Sequence, residues 1–522
     1  MSEILFGQSY FLRFDPKLWQ AMQPYPPLGT LYAASYMRQR GCEAALFDAM
    51  LAESTDDWRR ALEAHRPLYA VLFEDNFNYL SKMCLLRMRQ AAYEMIALAR
   101  ERGCTVIVCG ADATDHPAEY LAAGADFVLR GEGEVTLGEL VDQLSGRTPE
   151  HLAETPGLAY RVPARAGESL VITSPRDDIR DLDSLPFPAW DLVDIERYRK
   201  IWLERHGYFS MNLATTRGCP FHCNWCAKPI WGQRYHSRSP ENAAAEVAWL
   251  KEVYSPDHLW IVDDIFGLRP GWVQRFADLL EEKGVKIPFK CLNRVDLLLR
   301  EGEIEALRRA GCHTAWVGAE SGAQHILEAM DKGTRVEQIY EAARRLREAG
   351  IRVGFFLQFG YPGESWEDIL KTMKMVWECR PDDIGMSVSY PLPGTRFHEA
   401  VKAQLGVQQN WIDSNDLAML YQGPFSTAFY RQLHSVLHKE YRLRRTWWRL
   451  SGRQKGTSNP VRNEQRGSIM RAVAAACYHA VTLPLAWFRL RRLKSAPHRG
   501  VTSLPGLQHP LDASIPSAQR EG

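Results

Sequence analysis

The sequence predicts an α/β protein in three parts: a parallel-sheet domain, a partial barrel of six strand–helix units, and a basic, partly helical carboxyl-terminal region. Three observations predict it. Short β-like runs alternate with helical patterns through the first 145 residues. The alternation stops over 146–200, which is rich in Pro, Asp and Arg, and resumes from about residue 205. The charge is also divided unevenly: Lys+Arg total 64 and Asp+Glu 63, yet residues 431–522 hold 17 basic and 4 acidic side chains. With 522 residues and 46% of them hydrophobic, the chain is too long and too apolar for a disordered protein, a collagen or a small disulfide-stapled domain.

In the first part, a helical pattern over Thr30–Arg40 leads into a strand at Glu43–Phe47. Strands are predicted at Tyr69–Phe73, Thr105–Cys109 and Ala125–Leu129, with helices at Leu86–Arg100 and Val135–Leu144. Such alternation means a parallel sheet covered on both faces, with ligands at the carboxyl ends of its strands. Residues 148–204, with Pro186, Pro188 and Trp190, read as a connector with little core of its own.

The second part, 205–430, offers strands at Met211–Thr215, His258–Val262, Pro288–Leu292, His313–Gly318, Ile351–Phe359 and Ile384–Ser389. Helices follow, among them Pro240–Val253, Glu303–Ala310, Arg335–Ala349 and Ser365–Cys379, with Gly311 and Gly350 where C-terminal cap glycines belong. Six units are too few for an eight-unit barrel and suit a partial, TIM-like (β/α)6 one, whose chemistry would sit at the strand C-termini.

After 430 the pattern degrades. Ala472–Phe488 is a 17-residue run without Asp, Glu, Lys or Arg, bounded by Arg471 and Arg489. It is shorter than the ~20 residues that span a bilayer. Two readings stand: a helix lying in a membrane interface with its basic neighbours at the headgroups, or a helix docked on the barrel. Contact with a membrane surface through 441–494 is therefore one expectation, and no nucleic-acid module accompanies the basic charge. Residues 495–522 read as an unstructured end.

No apolar run of signal-peptide length follows Met1, so the chain is expected in the cytoplasm with reduced cysteines. Eight of the eleven cysteines are scattered, and most of these read as small buried apolar residues. The other three, Cys219, Cys223 and Cys226, follow the first barrel strand in C-x3-C-x2-C spacing. Three thiolates on one loop suit a soft metal centre, an iron–sulfur cluster or zinc. They are one short of the four that saturate a structural site, which leaves a coordination position open for chemistry.

This segment resembles the radical SAM superfamily, whose signature is this cysteine spacing after the first barrel strand, with an aromatic, here Trp225, before the third cysteine. Further motifs follow successive strands: Asp263-Asp264-Ile265-Phe266, Arg294-Val295-Asp296, Gly318-Ala319-Glu320-Ser321-Gly322, Gly360-Tyr361-Pro362-Gly363-Glu364 and Pro391-Leu392-Pro393-Gly394-Thr395. The resemblance implies a [4Fe–4S] cluster held by Cys219, Cys223 and Cys226, with S-adenosylmethionine completing the fourth iron and cleaved to a 5′-deoxyadenosyl radical. Trp225, Glu320 and Ser321 are then expected near S-adenosylmethionine, and Arg294 at its carboxylate. The alternative for Glu320 is a helix cap, and for Arg294 a pair with Asp296.

Residues 1–147 resemble the Rossmann-like cobalamin (B12)-binding-type domain that precedes the barrel in one large class of the superfamily. That class includes the anaerobic magnesium-protoporphyrin IX monomethyl ester cyclases. The matching residues are Pro26-Pro27-Leu28-Gly29, Gly41-Cys42-Glu43, Cys109-Gly110-Ala111-Asp112, Arg130-Gly131-Glu132-Gly133-Glu134 and, in the connector, Leu185-Pro186-Phe187-Pro188-Ala189-Trp190. Gly110 and Gly131 are expected where backbone approaches the corrin, and Asn76–Tyr79 on a cofactor-facing loop. The D-x-H-x-x-G sequence that supplies a cobalt ligand elsewhere is absent; Asp115-His116-Pro117 comes nearest. The resemblance implies methyl transfer to an unactivated carbon of a small, apolar or lipid-like substrate, with an electron donor of flavodoxin or ferredoxin type. Radical cyclisation or oxidation is the alternative within the class. A non-catalytic zinc or iron–sulfur module is the alternative outside it.

Overall fold

The computed structural model describes residues 3–83, 85–164, 167–226, 230–451 and 466–494. Two parallel sheets organise it. The amino-terminal sheet contains β1 (Ile4–Gly7), β2 (Ala44–Leu46), β3 (Tyr69–Phe73), β4 (Thr105–Cys109), β5 (Phe127–Leu129), β6 (Leu158–Ala164) and β7 (Gly167–Ile172), in the order β2-β1-β3-β4-β5-β6-β7. The first five run parallel, and β6 and β7 are added antiparallel at the edge. Both faces are covered, which explains near-continuous apolar runs such as YAVLF and TVIVC. Alternate residues go to opposite cores. Phe6, Val71, Phe73, Ile107 and Leu129 face the helices Leu28–Gln39 and Glu134–Leu144, while Leu5, Leu72, Val106 and Val108 face Thr55–His65 and Leu86–Glu101.

The second sheet contains β8 (Ser210–Leu213), β11 (His258–Ile261), β12 (Phe289–Asn293), β13 (Cys312–Glu320), β14 (Arg352–Phe359) and β15 (Asp383–Val388), all parallel and in sequence order. It is the expected arc of six. Between β8 and β11 a two-residue ladder pairs β9 (Thr216–Arg217) with β10 (His236–Ser237) and closes the loop that carries the three cysteines.

One expectation is corrected. It concerns 148–204, which contributes strands and core: Leu158 and Ala159 are fully buried in β6, and Trp190 and Leu182 are buried as well. The helix Ile195–His206 then clamps the two sheets together. Its Trp202 donates to the Pro24 carbonyl (2.7 Å), and Tyr198 donates to Asp48 (2.6 Å). The region after 430 is helical among its described residues, in keeping with the expected partly helical part. A 24-residue helix, Thr427–Leu450, buries Phe429, Tyr430, Leu433 and Leu437, and its Tyr441 donates to the Pro381 carbonyl (3.0 Å). The helix Arg466–Lys494 packs along it. Among the described residues no helix is long and apolar enough to cross a membrane. The other described cysteines outside the trio are buried free thiols, as expected for most of them, and Cys477 is exposed. Cys84 and the segment 495–522 lie outside the described residues.

Candidate functional site

The cysteine loop starts from a backbone device. Gly218 has φ +77°, and a Cβ there would lie 2.3 Å from the Arg234 carbonyl, so only glycine lets the loop leave β9 and return along β10. Cys219 and Cys223 are buried and Cys226 is half-buried. Cys219 sits against Ile265 and Leu297, with Phe221 and Leu268 packed beside them. Asn224, within the C-x2-C turn, fastens the loop to the barrel. Its backbone donates to the Met330 carbonyl (3.0 Å), and its amide donates to the Ala329 carbonyl (2.7 Å). It accepts from the Tyr361 hydroxyl (2.9 Å), and its carbonyl accepts the Phe397 N–H (3.0 Å). Asn224 and Tyr361 were missed as site residues; a polar residue between two cysteines was the available signal.

Beside the loop lies a buried ion pair. Lys332 donates to Glu320 Oε1 at 2.8 Å. Burial pulls the Lys332 ammonium down, but the negative charge of Glu320 and Cys223 outweighs it, and the group is held charged. Glu320 ends β13 at φ +53°, where the register with β14 slips, a bulge of the kind that re-aims a side chain beside a site. Gly318 is required by this pair: a Cβ would stand 2.5 Å from both Glu320 Oε1 and Lys332 Nζ. Gly318→Ala is expected to cost about 1–3 kcal/mol through overpacking. Denaturant melts check this, and a variant as stable as its parent would show that the pair shifts freely.

The structure brings some expected residues together and not others. Arg294 is committed to Asp296 (3.0 and 3.2 Å) and to the Lys332 carbonyl (2.9 Å), with its guanidinium 3.6 Å from the centre of the Phe221 ring. The pair with Asp296 is thus formed. Ser321 is fully buried, accepts the Ala323 N–H and faces Thr372; it shapes the turn after Glu320. Glu320 is not a helix cap. Trp225 leaves its indole N–H buried with no partner among the described residues. His222 is exposed. Asp263 ties the loop root, accepting the N–H groups of Thr215 (2.7 Å) and Thr216 (3.0 Å), and burial pushes its carboxyl up to about 7.

The carboxyl edge of the amino-terminal sheet faces this site. Arg217, two residues before Cys219, is buried and reaches Glu132 (2.9 Å) and Glu134 (2.7 Å), with Tyr32 and Phe77 flanking its guanidinium. The Arg-Gly-Glu-Gly-Glu segment therefore fastens the first domain to the root of the cysteine loop, a role the sequence did not disclose. Tyr79, 56% exposed, stands within electrostatic reach of Cys226, Glu320 and Asp264. Gly110 serves an internal contact: a Cβ there would lie 2.8 Å from Glu74 Cγ. Gly131 (φ +81°) has open space where its Cβ would be. His116 is engaged by Glu119 (3.4 Å) and Asp112 (3.9 Å).

Among the described residues no three His, Cys, Asp or Glu side chains already converge as metal ligands. The donor set nonetheless fits a cluster: three thiols share one loop held from outside, with a charged lysine beside them. At the β1/β3 switch point, where doubly wound sheets take their ligands, Ser9 Oγ, the Tyr10 hydroxyl and Asn76 Oδ1 are buried without hydrogen-bond partners among the described residues.

A six-stranded parallel arc with three thiols on the loop after its first strand, joined to a doubly wound sheet, defines a half-barrel metal enzyme. Residues 213–376 match the radical SAM superfamily, and the chain is an enzyme that carries this domain. It is 27% identical over 425 residues to an uncharacterized methyltransferase of Pyrococcus horikoshii, covering 80% of this chain and 87% of that one. It is 26% identical over 380 residues to the anaerobic magnesium-protoporphyrin IX monomethyl ester cyclase of Synechocystis, covering 72% of each. In fold it is similar to the radical S-adenosylmethionine methyltransferase TsrM from Kitasatospora setae, solved with cobalamin and a [4Fe–4S] cluster bound. The TM-score is 0.58 at 19% identity, covering 74% of this chain and 75% of that one.

Proposed function

We propose that this chain uses a [4Fe–4S] cluster, S-adenosylmethionine and cobalamin to transfer a methyl group to an unactivated carbon of a small, apolar or lipid-like molecule. When bound, the cofactors supply a 5′-deoxyadenosyl radical and a transferable methyl group. The protein's own residues position and shield. Cys219, Cys223 and Cys226 would hold the cluster, and Asn224 keeps their loop docked. Glu320 and Trp225 are the groups offered to S-adenosylmethionine, and Ser321 sets the turn that presents Glu320. Arg294, stacked on Phe221, closes one wall. The open space at Gly131 and the unpaired groups Ser9, Tyr10 and Asn76 would receive the corrin. A flavodoxin- or ferredoxin-type protein would supply the electron, in the cytoplasm.

The observation that carries this reading is the clamp of Arg217 on Glu132 and Glu134, which sets the first sheet's carboxyl edge against the cysteine loop. The test is anaerobic reconstitution with iron, sulfide and cobalamin, then incubation with S-adenosylmethionine and dithionite. The expected products are 5′-deoxyadenosine and S-adenosylhomocysteine, from brown protein with bound cobalamin. Deoxyadenosine without S-adenosylhomocysteine would favour cyclisation or oxidation. Colourless zinc-loaded protein yielding neither product would overturn the radical reading.

A further inference from the structure

The helix Arg466–Lys494 is held by one face only. Ala476, His479, Ala486 and Leu490 are buried, Gln432 donates to the Ala486 carbonyl (2.9 Å), and Lys439 donates to the Thr482 hydroxyl (3.2 Å). Trp487 meets Trp366 edge-on at 6.1 Å. The opposite face carries Tyr478, Val481, Leu485 and Phe488, which are 62%, 80%, 52% and 59% exposed. Ala474, Cys477 and Pro484 are exposed with them. At 100° per residue these seven positions fall within an arc of about 120°. No charged side chain interrupts it. Immediately beyond, Arg489, Arg491, Arg492 and Lys494 are all exposed, with Arg492 lying 5.9 Å from the Phe488 ring, and no Asp or Glu occurs between 466 and 494. Arg442 and Arg444 are exposed on the neighbouring helix.

We propose that this face docks on an anionic lipid bilayer. The helix would lie in the interface plane with Tyr478, Val481, Leu485 and Phe488 below the headgroups. The terminal arginines Arg489, Arg491 and Arg492 would pair with lipid phosphates, while the Lys494 ammonium lies 5.1 Å from the Trp366 ring on the packed side. The charge decides the occupant: an apolar stripe ending in three arginines, without one acid, complements a surface whose headgroups are negative and whose interior is apolar. A core helix would hide the stripe, and a spanning helix would not bury its other face on the barrel. The inference rests on the proposed function only for the substrate class: a docked enzyme would meet apolar molecules where they dissolve.

The test is flotation of the full reconstituted chain, without S-adenosylmethionine or reductant, with vesicles of phosphatidylglycerol and phosphatidylcholine. Vesicles of phosphatidylcholine alone are the comparison. Binding to the anionic vesicles is expected, weakened by high salt. Val481→Asp with Leu485→Asp is expected to lower vesicle affinity by about tenfold or more, with an unchanged melting temperature because both side chains are already in water. Arg489→Gln with Arg492→Gln is expected to weaken binding to anionic vesicles specifically. Failure of the parent chain to float, or flotation of the double aspartate variant equal to the parent, would overturn the proposal. So would a dimer in lipid-free buffer that the aspartate variant dissolves, since a second copy would then cover the face. Lipid binding is read without turnover, so either it or the methyl-transfer reading can fail alone.

Discussion

Cys223→Ala is expected to leave a folded protein without its cluster, and deoxyadenosine formation falls by more than about a thousandfold, the scale of loss when one member of a group acting as a unit is removed. The fold should survive for a local reason. The loop is held at Asn224 and by the β9–β10 ladder, and the Cys223 side chain carries none of these bonds. Iron content and the absorbance near the cluster's charge-transfer bands report the loss directly, while the far-ultraviolet dichroism and melting temperature stay close to the parent. Activity persisting in this variant would remove the central claim.

The second large effect is on stability. Arg217→Met leaves Glu132 and Glu134 buried without their cation, and breaking a buried pair from one side costs about 3–5 kcal/mol. Burial already raises the Glu132 carboxyl even with Arg217 present, with the arginine opposing the rise. Without the arginine the Glu132 carboxyl rises further above its unfolded value. Groups so raised favour the folded state where they are protonated, and that stability is lost as pH climbs through the folded pKa. The penalty is therefore smaller at pH 5.5 than at pH 8. Urea melts of Arg217→Met at both pH values check the sign. The triple variant Arg217→Met with Glu132→Gln and Glu134→Gln should recover much of the loss, since uncharged groups replace the whole set. An Arg217→Met chain as stable as the parent at pH 8 would show that the two glutamates are not held by this arginine.

Much of the architecture was legible because parallel sheets write themselves as repeated apolar runs. The six barrel strands, and the motifs after each, were visible for that reason. β1 was missed: Ile4–Gly7 is four residues long, too short to carry a period. The β6–β7 hairpin was missed because its outer half, with Arg161, Pro163 and Glu168, is polar edge strand and reads as loop. At the site, the residues nominated from the sequence lie within single motifs: the cysteines, Trp225 and Glu320. Partners brought together by the fold were not. Lys332 stands 12 positions from Glu320 and Tyr361 stands 137 from Asn224. Glu132 is 85 positions from Arg217. No spacing rule links such pairs, because their proximity is made by the strand order. Arg294 shows the converse: a residue two positions from Asp296 was paired by local geometry.

The way the cysteine loop is tied down bears on how the enzyme weathers air. Its anchors, Asn224 to Met330, Ala329 and Phe397, are all protein–protein bonds. In small zinc modules the ion is the keystone and its departure unfolds the domain. Here the keystone is an asparagine, so stripping by oxygen should cost the protein its colour and not its shape.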